Sequence, residues 1–295
     1  MTRSFLFVPA DSERKMEKAR SAGADALILD LEDAVAPERR DAARTLAQQY
    51  LAGKDNVWVR INPVDGSDAA EDLDAVMPSA PAGIVLPKPR SADDALALAA
   101  MLDTLEERHG IDAGSTRILP LCTERPGALF ALEGFATATP RLAALSWGSE
   151  DLAAAIGASR NRDADGNWLP VYELARSLCL IAAAAAGVAA VDTVFTDFRD
   201  LDGLATYAAN ARRDGFSGML AIHPAQVAVI NHAFAPGAEE IAKARRIVAA
   251  FAAHPGAGAL GLEGEMLDRP HLVQAQRTLA LAEKLELDQN EAEQQ

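Results

Sequence analysis

The chain has 295 residues, of which 49% are hydrophobic and 24% are charged, and its formal net charge is −15. A chain of this length and apolar content can bury a large core without disulfide bonds or a structural metal ion. The scattered acidic residues argue against nucleic acid or an anionic membrane as the main partner. A phosphorylated ligand is still compatible with this charge, because a local basic cluster can lie on an acidic protein.

Cysteine usage and hydropathy favour a soluble protein of a reducing compartment. Cys122 and Cys179 each lie in an apolar run, and two thiols, although they could pair, do not make a disulfide framework. The longest apolar stretch, Leu178–Val191, is interrupted by Gly187 and is too short to span a bilayer. Residues 1–9 are strand-like rather than a signal peptide. We therefore expect a cytoplasmic protein.

Short apolar runs alternate with segments of helical periodicity along most of the chain. The predicted strands are Ser4–Val8, Ala26–Leu31, Val57–Asn62, Gly83–Pro87, Arg117–Thr123, Leu142–Trp147, Val191–Phe195 and Met219–His223. The predicted helices that follow them are Ser12–Ala22, Arg39–Leu51, Ala69–Met77, Ala92–Arg108, Gly127–Phe135, Val171–Ala186, Leu201–Arg213 and Pro224–Phe234. Eight strand–helix units with near-continuously apolar strands predict a parallel (β/α)₈ TIM barrel over residues 1–236. A doubly wound open sheet is the alternative, but no glycine-rich dinucleotide loop follows the first strand.

The remaining residues, 237–295, are predicted to form a C-terminal helical extension. Two helical patterns, Ala238–His254 and Pro270–Leu285, flank the glycine-rich stretch Pro255–Asp268. Glycine at this density indicates an irregular, mobile loop, and we interpret it as a lid. The polar end, Leu287–Gln295, is expected to fray.

Polar residues follow the apolar runs where the predicted strands end. They include Asp30, Glu32, Asp33, Arg60, Asn62, Lys88, Glu124, Arg125, Glu150, Asp151, Asp197 and His223. In barrels of this class the chemistry lies at the carboxyl ends of the strands. We therefore expect the active site among these residues.

Glu124 and Asp151 are the strongest candidates for a metal site. They are 27 residues apart (151 − 124), which matches one strand–helix–strand unit, so they should end adjacent strands and face one cavity. Two carboxylates together with waters and a chelating substrate suit Mg²⁺. The alternative is that each acid caps the start of a helix, where acidic side chains are also favoured.

Three further residues near the same strand ends have two interpretations each. Glu32 and Asp33 would orient metal-bound water, or would lie in an N-terminal helical turn, where acidic side chains are favoured. Arg60, whose neighbours Trp58 and Asn62 share its face of the strand, would bind a substrate carboxylate or enolate in the barrel mouth. A structural ion pair between Arg60 and Glu32 or Asp33 is the competing account.

Other basic side chains are candidates for binding anions. A Schiff base at Lys88 would require a desolvated amine, so anion binding or plain solvation is favoured there. Arg14, Lys15 and Lys18 form a basic cluster that is either a solvated helix face or a phosphate site. His223 lacks an evident nucleophile partner, which favours a structural role over catalysis.

Six short motifs in chain order resemble those of the citrate lyase beta-subunit-like enzymes of the HpcH/HpaI aldolase family. They are Arg3-Ser4-Phe5-Leu6-Phe7-Val8-Pro9, Asp30-Leu31-Glu32-Asp33-Ala34-Val35, Val59-Arg60-Ile61-Asn62-Pro63, Leu86-Pro87-Lys88, Gly148-Ser149-Glu150-Asp151-Leu152 and Ile222-His223-Pro224-Ala225-Gln226. The chain departs from the family pattern at Arg125, Met219 and Glu265, where relatives often carry threonine, lysine and lysine.

The resemblance implies a Mg²⁺-dependent carbon–carbon lyase of the oxo-acid-lyase type. Its substrate would be a 3-hydroxyacyl-CoA thioester such as malyl-CoA or citramalyl-CoA, and its products a 2-keto acid and an acyl-CoA. Glu124 and Asp151 would bind the metal, with Glu124 also against the substrate, and Arg60 would hold the keto-acid oxygen. Glu32 and Asp33 would orient metal-bound water.

The resemblance also implies an oligomer. Residues Gly264–Asp268 are similar to a C-terminal loop whose aspartate acts as acid/base in a neighbouring subunit's site, which assigns that role to Asp268 and implies a homotrimer. Two alternatives remain open: an acyl-CoA thioesterase on the same scaffold, and a citrate lyase beta subunit that acts only within a complex.

Overall fold

The computed structural model describes residues 2–293, with side chains described for residues 2–285. The chain divides into two compact units. The larger unit is Thr2–Asn231, and the smaller unit begins at His232.

The larger unit is a parallel barrel. Its strands are β1 Ser4–Pro9, β2 Ala26–Asp30, β3 Val57–Arg60, β4 Gly83–Leu86, β5 Arg117–Pro120, β6 Ala144–Ser146, β7 Ala189–Asp192 and β8 Gly218–Ala221. They are hydrogen-bonded in the order β5-β4-β3-β2-β1-β8-β7-β6, and parallel bridges from Ile118 to Leu142 and from Leu121 to Ser146 join the two ends. The predicted TIM barrel is thus confirmed, because all eight expected strands are present and the sheet closes on itself.

Helices surround the strands of the larger unit. They are α1 Glu13–Arg20, α2 Arg40–Leu51, α3 Asp68–Val76, α4 Ala92–His109, α5 Ser149–Ile156, α6 Pro170–Ala185, α7 Leu201–Asp214 and α8 Pro224–Ala233. Two details differ from the sequence-based expectation. The segment Pro126–Thr137 is a 3₁₀ helix, and the eight-residue helix α5 was not predicted. Helix α5 and the longer α6 lie in the same connection between β6 and β7, where only one helix was expected.

Large apolar side chains fill the barrel interior. Phe5 and Trp58 meet edge to face, with ring centroids 5.8 Å apart, and pack with Ile28 and Leu119 in one buried cluster. Gly83 allows this packing, because a Cβ there would lie 2.3 Å from the Trp58 ring. The interior is therefore a packed core, and chemistry is confined to the strand ends.

The smaller unit contains α9 Ala238–Ala253, the antiparallel strands β9 Ala259–Leu262 and β10 Glu265–Asp268, and α10 Arg269–Glu293. The expectation of an irregular loop over residues 255–268 is wrong, because these strands form a hairpin. Its turn residues, Glu263 and Gly264, have φ values of 52° and 85°, as a tight hairpin turn requires. Leu267 anchors the hairpin in an apolar cluster with residues of α9 and α10.

Two expectations about cysteines and membranes can be compared with the structure. The buried Cys122 and Cys179 are free thiols whose Sγ atoms lie 3.7 Å apart. Within residues 2–293, every helix is too short or too polar to cross a membrane.

Candidate active site

Acidic and basic side chains from β2, β3 and the segments after β2, β4, β5 and β6 meet at the carboxyl ends of the strands. Arg60 and Lys88 are the cations of this cluster, and the acids are Asp30, Glu32, Asp33, Glu124 and Asp151. The predicted site residues of the barrel strands therefore lie together, as their positions at strand ends predicted.

Arg60 is held mainly by Asp30. The two residues are opposite each other in the β2–β3 register, and two hydrogen bonds join them, from Nε to Oδ1 at 2.8 Å and from Nη2 to Oδ2 at 2.6 Å. The third guanidinium nitrogen lies 3.1 Å from Glu32 Oε2. Burial opposes the charged form, but the charges of Asp30 and Glu32 outweigh it and raise the pKa of Arg60. The guanidinium is a fixed positive charge at the mouth of the barrel.

Lys88 connects the acids that follow β2 with Asp151. Its Nζ lies 2.6 Å from Glu32 Oε1, 3.0 Å from Asp33 Oδ2 and 3.4 Å from Asp151 Oδ1. Burial lowers the pKa of Lys88, but these carboxylates, Glu32 first, more than compensate and raise it above its ordinary value. A Schiff base needs a neutral amine, so this environment disfavours one and the ion-pair role is the one the geometry supports.

Glu124 is a buried carboxylate with few partners. Its Oε2 accepts a hydrogen bond from the Lys88 backbone N–H at 2.6 Å. Burial, the charge of Asp151 and that of Glu32 raise its pKa well above the ordinary value. Glu124 does not cap the following 3₁₀ helix, because Arg125 occupies the N-cap position and makes no side-chain cap. A costly buried acid without a capping role is typical of a functional group.

Asp151 lies in the first turn of α5 and also faces Lys88. Asp151 therefore fits both interpretations, because it lies at the start of a helix and also belongs to the charged cluster. Its side chain is one-third exposed, and the helix N-terminus favours its negative charge. Asp151 can accept a cation from the solvent side while Glu124 approaches from the buried side.

The donor set of this cluster fits Mg²⁺. No group of three or more His, Cys, Asp or Glu residues suited to a metal exists among the described residues. Mg²⁺ is commonly held by one or two carboxylates, with waters and substrate oxygens completing its shell, and Glu124 and Asp151 supply such a pair. The buried Glu32 Oε2 forms an ion pair with Arg60 Nη1 at 3.1 Å but accepts no hydrogen bond, and it could accept one from a metal-bound water.

A second feature at this end of the barrel is a cavity of about 480 Å³ beside β1. Its lining includes Arg14, Lys15 and Lys18 of α1 and also His223. The His223 ring stacks on Phe198 at 5.0 Å, and its Nδ1 accepts a hydrogen bond from the Ala225 N–H at 3.2 Å. The basic cluster therefore faces a cavity rather than solvent alone.

Asp268 belongs to the smaller unit, at the end of β10. Its Oδ1 lies 2.6 Å from Nδ1 of His271, and the Asp268 side chain is 40% exposed. The hairpin thus presents Asp268 as an accessible acid paired with a histidine.

Comparison with known proteins gives the family. A sequence profile described as HpcH/HpaI aldolase/citrate lyase matches residues 3–224. The chain belongs to this family. HpcH/HpaI relatives match it along nearly the whole length: the citrate lyase subunit beta-like protein of Mycobacterium tuberculosis is 37% identical over 278 residues, 94% of each chain.

Two further matches are a relative named as a thioesterase and a solved structure with bound ligands. A (3S)-malyl-CoA thioesterase of Cereibacter sphaeroides is 35% identical over 289 residues, which is 96% of this chain and 95% of the relative. The crystal structure of CitE from Mycobacterium tuberculosis in complex with magnesium, acetoacetate and coenzyme A has a TM-score of 0.82 and 35% identity, and the match covers 95% of this chain and 98% of that one. Homologous structures therefore contain magnesium.

The sequence missed three features of the site. Asp30 was seen at a strand end but given no role, although its place one strand from Arg60 was a usable signal. The ion pairs of Lys88 had no signal, because they depend on side-chain direction. Gly148 makes room for Glu124, since a Cβ there would lie 2.6 Å from Glu124 Cγ, and a glycine before a helix does not reveal such a contact.

Proposed function

We propose that the protein is a Mg²⁺-dependent carbon–carbon lyase that cleaves a 3-hydroxyacyl-CoA thioester, such as malyl-CoA or citramalyl-CoA, to a 2-keto acid and an acyl-CoA. The observation that carries this proposal is the juxtaposition of Glu124, Asp151 and Arg60 at the carboxyl ends of the strands. Carboxylates for a hard cation next to a fixed guanidinium suit chemistry at a carbonyl. The magnesium, acetoacetate and coenzyme A of the CitE structure support it.

The residues have distinct roles in this proposal. Glu124 and Asp151 would hold Mg²⁺, which supplies a Lewis acid for the keto-acid oxygens. In cleavage, a base takes the proton of the 3-hydroxyl, the bond between carbons 2 and 3 breaks, and its electron pair becomes the thioester enolate. Arg60, oriented by Asp30, would stabilise negative charge on the reacting oxygen. Glu32 and Asp33 would orient water, and a carboxylic acid would protonate carbon 2 of the enolate.

The cavity next to α1 is the proposed place for the phosphorylated part of coenzyme A. Arg14, Lys15 and Lys18 line it, and side chains of this kind bind phosphate on an otherwise acidic protein. Lys88 remains a candidate for contact with the substrate carboxylate as well. We place the reaction in the cytoplasm, where the two thiols would remain reduced.

The acid that protonates the enolate is proposed to be Asp268 of a neighbouring subunit in a homotrimer. This assignment follows the resemblance of residues 264–268 to the family's C-terminal loop. The accessibility of the Asp268 carboxylate is compatible with such a role.

A thioesterase is the second candidate, because the Cereibacter sphaeroides relative has that name. In that reaction water attacks the thioester carbonyl, and the products are coenzyme A and the free hydroxy acid. A subunit that acts only within a citrate lyase complex is a further alternative.

Product analysis distinguishes these functions. The purified chain with Mg²⁺ would be incubated with malyl-, methylmalyl- and citramalyl-CoA, and products would be separated by chromatography. A lyase releases glyoxylate or pyruvate, a thioesterase releases the hydroxy acid, and a dependent subunit releases neither. Replacing Glu124 by alanine should abolish the reaction with the fold intact, and wild-type activity that survives exhaustive chelation would contradict the metal assignment.

A further inference from the structure

Lys88 is the second cation of the acidic cluster, beside Arg60. Arg60 forms a two-point ion pair with Asp30, which fixes the direction of its guanidinium. The ammonium of Lys88 instead lies among Glu32, Asp33 and Asp151. The positive charge of Lys88 therefore lies next to Asp151, one of the two proposed metal ligands.

The backbone at Lys88 fixes this position. Its φ is 49°, in the left-handed region that a residue with a side chain rarely adopts. Pro87 and Pro89 flank it and limit the backbone on both sides. The resulting N–H direction gives the 2.6 Å hydrogen bond to Glu124 Oε2. One residue therefore contacts both proposed metal ligands, Glu124 through its backbone and Asp151 through its side chain.

We propose that Lys88 is a positioning residue that sets the affinity of the site for its divalent cation. Its ammonium holds Glu32, Asp33 and Asp151 together against their mutual repulsion. The same positive charge repels the divalent cation that binds at Asp151. This inference rests on the proposed function, because it assumes that Glu124 and Asp151 bind Mg²⁺. Loss of the Lys88 charge is expected to lower the stability of the protein and to tighten binding of the cation.

These opposite signs separate the proposal from a purely structural role. A lysine that only maintains the fold would, when replaced, disorder the carboxylates and weaken Mg²⁺ binding. A lysine that only contacts substrate would leave Mg²⁺ binding unchanged. Tighter binding together with a lower melting temperature is expected only if the ammonium both holds the carboxylates and repels the cation.

The experiment measures Mg²⁺ binding to the full-length protein by calorimetry, with Mn²⁺ and electron paramagnetic resonance as a second readout. Lys88→Gln removes the charge, Lys88→Arg keeps it, and Lys54→Gln is the matched control. Lys54 lies 4.2 Å from the ring of Tyr50 and donates to the Tyr50 carbonyl, so it has its own separate partners. Lys88→Asn is a second neutral variant that tolerates positive φ.

We expect the Kd for Mg²⁺ to fall about tenfold in Lys88→Gln and Lys88→Asn, and to stay within about twofold of wild type in Lys88→Arg and Lys54→Gln. The two neutral variants should also melt at a lower temperature in circular dichroism. If both folded neutral variants bind Mg²⁺ as wild type does, or more weakly, the role of Lys88 is overturned while the metal site stands. If wild type itself binds no Mg²⁺, the proposed function fails, and this inference fails with it.

Discussion

Arg60 shows how one side chain combines a fixed charge with a fixed direction. Its planar fork makes two hydrogen bonds to Asp30 and leaves Nη1 near Glu32. Lysine in its place would keep the charge but could not make the same fork. We expect Arg60→Lys to lower kcat on the order of 10²-fold or more, as removal of an oxyanion donor does.

Steady-state kinetics on the substrate identified by product analysis would measure this effect. Arg90→Lys is the matched control, because Arg90 is exposed and pairs with Asp94 within its own loop and helix start. Near-full activity of Arg60→Lys would identify Arg60 as a purely structural ion-pair partner.

Gly148 provides a residue-scale test of the position of Glu124. A Cβ at residue 148 would lie 2.6 Å from Glu124 Cγ, closer than real Cβ atoms approach, and 3.0 Å from its Oε1. Gly148→Ala should therefore displace the Glu124 carboxylate and weaken Mg²⁺ binding by about tenfold or more, with an intact circular dichroism spectrum. The expected size corresponds to loss of one well-placed metal ligand or its orientation.

Gly127→Ala is the control for this substitution, because a Cβ there would meet no atom within 4 Å. Gly127 also lies near Glu124 in the chain, in the 3₁₀ segment. Unchanged Mg²⁺ binding in Gly148→Ala would show that Glu124 has another rotamer of equal value, or that it is not a ligand.

At the level of secondary structure elements, a buried ion pair ties α4 to the segment before β6. Glu106 accepts hydrogen bonds from Arg141 Nη2 at 2.6 Å and from the backbone N–H groups of Gly114 and Thr116 at 2.7 and 2.9 Å. Burial raises the pKa of Glu106, but these hydrogen bonds outweigh it and lower the pKa from 4.5 to about 2. The charged carboxylate is therefore part of what holds α4 in place.

The direction of this shift determines how stability depends on pH. Because the folded pKa of Glu106 is lower than the unfolded one, its contribution is complete above pH 4.5 and is lost as the pH falls toward 2. The shift corresponds to about 3 kcal/mol of unfolding free energy. Glu106→Gln should lower stability by on the order of 3 kcal/mol at pH 7, and the difference from wild type should shrink below pH 4.5.

Urea unfolding at several pH values would measure both curves. The exposed neighbour Glu107 supplies the control, and Glu107→Gln should change stability little at any of these pH values. A constant difference between wild type and Glu106→Gln from pH 7 to pH 3 would contradict the assigned cause.

At the level of the whole molecule, the proposed role of Asp268 makes a prediction about mixed oligomers. If Asp268 completes a neighbouring subunit's site, then Asp268→Asn and Glu124→Ala chains are each inactive but regain activity when mixed. A hybrid site then takes its metal ligands from one chain and its acid from another. With random 1:1 mixing in a trimer, about a quarter of the sites are complete (1/2 × 1/2), so about a quarter of wild-type activity should return, measured by product formation.

Subunit exchange must be confirmed, for example by mass spectrometry of the mixed oligomers. Two chains that are both Glu124→Ala provide the control, because no combination of them restores a complete metal site. Exchanged oligomers without activity would argue for a site completed within one chain, or against a role for Asp268.

Much of the site was predictable because strand ends are marked locally in the sequence. Glu124 and Arg60 follow or end apolar runs, and such runs reveal parallel strands without any knowledge of their partners. Asp151 lies beside the other charged residues of the candidate site, although α5, the short helix that carries it, was missed. The hairpin of residues 259–268 was also missed, because glycine-rich sequence conceals strands that are stabilised by packing against helices.

The sequence by itself determined the eight strand–helix units, and with them the barrel and the edge at which its polar residues gather. Only the tertiary structure decided which charges pair. Arg60 binds Asp30 first, Lys88 binds Glu32 and Asp151, and Gly148 leaves space for Glu124. The spacing of apolar residues that identifies a strand or helix is a property of each short segment. These contacts instead join residues up to 63 positions apart (151 − 88). Such contacts depend on strand register, backbone dihedrals and rotamers that exist only after the barrel has closed.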